Sequence, residues 1–94
     1  MKESTLEAKC CEYADKTFAI KNIKIKDKAG WPDRLFFKSG RHFFVEFKRE
    51  GEKPRLLQKH THEQLRLRGE QVYIIDNFEE FKQEVILWLK RNSL

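Results

Sequence analysis

The chain has 94 residues, 37% of them charged and 39% hydrophobic, and twenty Lys and Arg against fifteen Asp and Glu leave a net charge of +5. This length supports one core, so a single domain over 1–94 is expected. No apolar run approaches the roughly 18 residues of a membrane span, and eight Phe, two Trp and two Tyr are too many anchors for a disordered chain. The basic balance suits a polyanionic partner without proving one.

The opening MKESTLEAKCC has no apolar stretch of the kind a signal peptide needs. Its adjacent Cys10 and Cys11 lack CxxC spacing, which argues against both a disulfide framework and a structural zinc site. A reduced, cytoplasmic setting is therefore expected. Residues 3–16 read as a helix capped by Ser4 or Thr5, with Leu6, Cys10, Tyr13 and Ala14 on one stripe. Residues 18–26, rich in isoleucine, read as a strand, and 27–32 as a loop. Segments 33–38 and 41–48 read as a hairpin turning at Ser39-Gly40. After a loop to Lys53, Pro54 is placed to open a helix that runs to Arg68 and stops at Gly69. Residues 71–75 form a short strand. A last helix, 78–91, carries Phe78, Phe81, Val85, Trp88 and Leu89 on one side. The order α-β-β-β-α-β-α predicts an α/β fold, a mixed central sheet flanked by helices.

The hairpin carries the sharpest chemical signal. A turn symmetric about Ser39-Gly40 sets Asp33 opposite Glu46, on one face, with Cβ atoms roughly 5 Å apart. Like charges so placed destabilise a sheet pair, and a divalent cation between them is the obvious remedy. Lys48, two residues on, shares the face of Glu46. Phe43, Val45 and Phe47 take the opposite, apolar face. Glu46 and Lys48 then have two readings, a plain solvated side or a site for phosphate chemistry. Glu7 lies at the border of the first helix's apolar stripe, and Glu3 nearer its centre but close to a fraying end; either reads as a site carboxylate or as a first-turn acid answering the helix dipole. Gln58, His62 and Leu65 share one side of the 54–68 helix. His60 and His62 diverge by about 200° on a helix and cannot chelate one ion together. Basic residues surround this set, among them Lys21, Arg34, Arg49, Lys53, Arg55 and Lys59, and they read as phosphate contacts or as a solvated face.

Gly30 with Pro32-Asp33-Arg34, then Glu46 with Lys48, Gly51 with Pro54, Gln58, and an early Glu7 together resemble the PD-(D/E)xK nucleases, and more narrowly the VRR-NUC family of virus-type replication-repair nuclease domains. The later His62, Leu65, Gly69 and Val72-Tyr73 are similar to small stand-alone phage members. Lys16-Thr17-Phe18 departs from the glycine-rich turn usual after the family's first helix. The resemblance implies a restriction-endonuclease-like core and Mg²⁺ or Mn²⁺-dependent cleavage of DNA phosphodiesters. By it, Asp33, Glu46 and the Phe47 carbonyl are metal ligands, and Glu7 binds directly or through water. Lys48 positions the attacking water or stabilises the transition state, and Gln58 orients Lys48 or the water. It further implies a homodimer acting on branched DNA such as four-way junctions, without a small-molecule cofactor or a membrane. Phe36, Phe37 or the Trp88 region is expected to offer the apolar surface for that dimer. Two other readings stand beside it: a non-catalytic DNA-binding module on the same scaffold, and a nuclease subunit of a larger replication or repair assembly.

Overall fold

A computed structural model describes residues 1–94. The elements follow the expected order: α1 (Glu3–Phe18), β1 (Lys21–Lys24), β2 (Arg34–Lys38), β3 (Arg41–Phe47), α2 (Leu56–Leu67), β4 (Val72–Ile75) and α3 (Phe78–Arg91). They form one four-stranded sheet in the order β1-β2-β3-β4, antiparallel across the first two pairs and parallel between β3 and β4. The crossover from β3 to β4 is long enough to hold α2, as a parallel connection requires. No helix is long and apolar enough to cross a membrane.

Side chains alternate along the strands, so each face of the sheet collects its own residues. One face presents Phe36, Phe43, Val45, Phe47 and Ile75. α1 covers it with Leu6, Cys10 and Ala14, and α3 with Phe81, Val85, Trp88 and Leu89. Burying each of these large side chains stabilises the fold by about 1.5–3 kcal/mol before entropy is counted. Phe36 stacks on Phe43 at 5.1 Å, and Trp88 meets Phe43 edge-on at 4.7 Å. The other face is smaller: Phe44 and Val72 pack with Leu65 of α2, flanked by Ile25, Trp31 and Leu35.

Several boundaries differ from the sequence reading. α1 is capped at Lys2 without a side-chain hydrogen bond, so Ser4 and Thr5 lie inside the first turn. The helix also runs two residues past Lys16, because Phe18 packs edge-on against Tyr13 at 5.6 Å. Ala19 then ends it in the left-handed region at φ 56. β1 is correspondingly short, and Ile23 is exposed. Pro54 precedes the helix it was expected to open; Arg55 is the N-cap. Phe36 and Trp88 are fully buried, so neither offers a surface to a second copy, whereas Phe37 is exposed.

Candidate nuclease site

The β2–β3 register is the one the turn predicts. Lys38 faces Arg41, Leu35 faces Phe44 and Arg34 faces Val45. Ser39 and Gly40 make this two-residue turn, both at positive φ. The paired residues stop at Arg34 and Val45, and beyond them Asp33 and Glu46 line one cleft.

Asp33 sits just outside β2 and holds that edge in two ways. Its N–H donates to the Val45 carbonyl at 3.0 Å, and its Oδ2 accepts from the Phe47 N–H at 2.8 Å. In an extended strand a residue's N–H and carbonyl point the same way, so the bond from the Phe47 N–H to Asp33 Oδ2 sets the Phe47 carbonyl on the side of β3 that faces Asp33. Gly30 makes the approach possible. It has φ +81, and a Cβ there would lie 2.7 Å from Thr61 Oγ1 and 2.9 Å from Leu57 Cγ, so the loop before Asp33 lies directly on α2.

Glu46 and Lys48 are not a solvated side. Glu46 is 2% exposed and Lys48 7%, because α2 lies over this half of the sheet. Lys48 Nζ is 3.5 Å from Glu46 Oε2. Gln58 sits at the third position of α2 and is bonded at both ends of its amide. Its Oε1 accepts from the Arg55 N–H at 2.8 Å, one half of a capping box, and its Nε2 donates to Glu46 Oε2 at 3.1 Å. Gln58 therefore contacts Glu46 where the sequence reading had it orienting Lys48 or a water. His62, one turn further, is fully buried with Nε2 3.8 Å from Glu46 Oε1. His60 is exposed.

These groups open into a cleft of about 560 Å³ with no hydrophobic lining residue. Asp33, Glu46, Glu3 and Glu52 supply its acids, Lys48, Arg49, Lys53 and Arg55 its bases, and Gln58 completes the wall. Partial burial, together with the nearby charges of Glu46, Glu7 and Glu3, pushes the Asp33 carboxyl up to about 6, against the pull of its bond from Phe47 N–H. A carboxylate whose charge is opposed first by burial and then by neighbouring acids gains from a cation bound beside it.

Two side-chain carboxylates, Asp33 and Glu46, line this cleft, and the Phe47 backbone is bonded to the first of them. No set of three Asp, Glu, His or Cys side chains forms a ready-made metal cage. Oxygen-only donors in this number fit a hard divalent cation such as Mg²⁺ or Mn²⁺, which keeps several waters and needs few protein ligands. They do not fit zinc.

Glu7, expected as a third ligand, is held elsewhere. It is buried, and its Oε2 accepts from Arg34 Nε at 2.6 Å and lies 3.7 Å from Lys24 Nζ. Glu3 lines the cleft in its place, as its position near the middle of the α1 stripe allowed. Arg34, expected on DNA, is turned to Glu7 and to Asn22 Oδ1 at 3.0 Å. Lys21 lies at the far end of β1 from the cleft and pairs with Asp15 at 2.6 Å. Of the basic residues read from the sequence, Arg49, Lys53 and Arg55 line the cleft, and Lys59 lines an adjoining depression that shares Lys53 with it. Glu52 was missed, and its place in a loop gave no periodic signal.

No family model matches the sequence. No curated protein matches it either. Among solved structures, one described as a VRR_NUC domain superposes on 88% of this chain and 92% of its own, with a TM-score of 0.74 and 25% sequence identity.

Proposed function

We propose that this chain, which shares the fold of a structure described as a VRR_NUC domain, is a Mg²⁺ or Mn²⁺-dependent DNA endonuclease, selective for branched DNA such as four-way junctions and acting as a homodimer. The observation that carries this reading is the meeting of Asp33, Glu46 and Lys48 in one polar cleft rimmed by Arg49, Lys53 and Arg55.

Asp33, Glu46 and the Phe47 carbonyl would hold the ion. When bound, the ion supplies Lewis acidity to the phosphoryl group and lowers the pKa of an attacking water. Lys48 carries its ammonium into the same cleft, where it stabilises charge growing on the attacked phosphate. Gln58 fixes Glu46 from the α2 side. Glu7, engaged by Arg34, serves as an outer carboxylate. Arg49, Lys53 and Arg55 take flanking phosphates and set the strand in register. No serine or cysteine lines the cleft, which suits direct attack by water over a covalent intermediate. One cleft cuts one strand, so paired cuts across a junction need two copies related by a twofold axis.

The test is cleavage of a synthetic four-way junction by purified protein with Mg²⁺ or Mn²⁺. Wild type is expected to cut in a metal-dependent way, and Asp33→Ala to bind the junction while losing at least about 100-fold in rate, since it removes an ion ligand. Equal cleavage by both proteins overturns the reading. Tight, metal-indifferent binding without cleavage by wild type favours the DNA-binding module instead, and cleavage only on adding replication or repair partners favours the subunit of an assembly.

A further inference from the structure

Three buried side-chain polar atoms in this protein lack a hydrogen-bond partner: Glu46 Oε1, His62 Nδ1 and His62 Nε2. They belong to two side chains that face each other, 3.8 Å apart between Nε2 and Oε1. His62 is fully buried and Glu46 2% exposed, so water does not compete freely for either. Nearly all buried polar atoms are satisfied in folded proteins, and an exception calls for an explanation. The separation exceeds a hydrogen bond by a little under an ångström, which a small rotation of either side chain removes.

The two oxygens of Glu46 have different surroundings. Oε2 accepts from Gln58 and lies near Lys48, and both of those residues line the cleft. Oε1 points toward His62, which does not line it. We propose that His62 is a positioning residue: its Nε2–H donates to Glu46 Oε1 from behind, and with Gln58 on Oε2 it locks the carboxylate so that Oε2 is presented to the cleft. An acid held at both oxygens does not swing away when the cleft is empty, and an incoming cation meets a ligand already in place. Gln58 and His62 are one helical turn apart on α2, so a single rigid element supplies both holds. The consequence for ion binding rests on the nuclease reading above; the hydrogen bond itself does not.

The experiment has two arms. The first uses metal-free protein and ¹⁵N imidazole spectra. Wild type is expected to carry a proton on His62 Nε2 that exchanges slowly, with its resonance displaced in Glu46→Gln; an Nε2 signal indifferent to that substitution overturns the proposal. The second arm measures Mn²⁺ affinity by calorimetry. His62→Phe, which fills the space without a donor, is expected to weaken Mn²⁺ at least about tenfold. His62→Gln, which restores an amide N–H, is expected to recover most of it, with melting temperature measured alongside. Unchanged affinity in His62→Phe overturns the proposal, and so does equal loss in both variants. Should wild type bind no Mn²⁺, the nuclease reading fails, and the spectra still decide the contact. Should His62→Phe not fold, the spectra and the Gln variant decide it.

Discussion

Asp33 bonds to β3 twice: its N–H donates to the Val45 carbonyl while its side chain accepts from the Phe47 N–H. That position puts a carboxylate where burial and other acids oppose its charge, and its pKa rises to about 6. The sign follows directly. The folded state holds the proton more tightly than the unfolded chain, whose value is near 3.8. Stability from this group is therefore full at low pH and falls as pH rises from about 4 to about 6. Asp33→Asn keeps an oxygen for the Phe47 N–H and removes the charge. In metal-free protein it is expected to raise stability at pH 7.5 by on the order of 1–3 kcal/mol, with the gain largely gone by pH 4. Thermal melts across that range check it, and a pH-independent difference between the two proteins contradicts it. The β2–β3 register down to Arg34 and Val45 was readable because a two-residue turn leaves one alignment. The occupation of Glu7 by Arg34, 27 positions away along the chain, was not readable, because nothing local records which distant cation reaches a carboxylate.

At the scale of the element, α1 ends on Ala19 in a conformation that L-residues other than Asn and Gly rarely take. Its N–H closes back on the Asp15 carbonyl at 2.9 Å, so the turn is kept despite the Cβ. A glycine at this turn would carry no such penalty. Ala19→Gly is expected to stabilise by about 0.5–1 kcal/mol, the relieved left-handed strain exceeding the added freedom of the unfolded chain. For a domain of this size that is a rise in Tm of roughly 2–8 °C; an unchanged or lowered midpoint would show that the strain is not there. The helices and the hairpin were legible because their periods of 3.6 and 2 recur over ten residues or more. The 18–26 strand was misjudged at its start, because Phe18 is apolar in either conformation and only its packing on Tyr13 places it in the helix.

Across the whole molecule, the sheet is covered on both faces, and the cleft lies at the C-terminal end of β3, beside the start of α2. Arg49, Lys53 and Arg55 follow that strand end, so positive charge stands beside Asp33 and Glu46. Phosphates bound there displace condensed counterions. Junction affinity is therefore expected to fall steeply with salt, and Lys53→Ala to reduce the slope of log K against log salt by about 1. Equal slopes, measured by anisotropy with non-cleaving Asp33→Ala as the parent, would place the DNA elsewhere.

Local information settled what repeats or turns: element order, the hairpin register, the sharing of a strand face by Glu46 and Lys48, and the sharing of a helix side by Gln58 and His62. Each depends on residues within a few positions of one another, where backbone period dictates direction. Tertiary packing alone decided that Glu46 and Lys48 are buried, that Gln58 bonds one oxygen of the Glu46 carboxylate while His62 lies 3.8 Å from the other, and that Arg34 and Lys21 spend their charge away from the cleft. Those outcomes turn on which helix lies over which strand, and a sequence pattern carries the face of an element but not the neighbour that covers it.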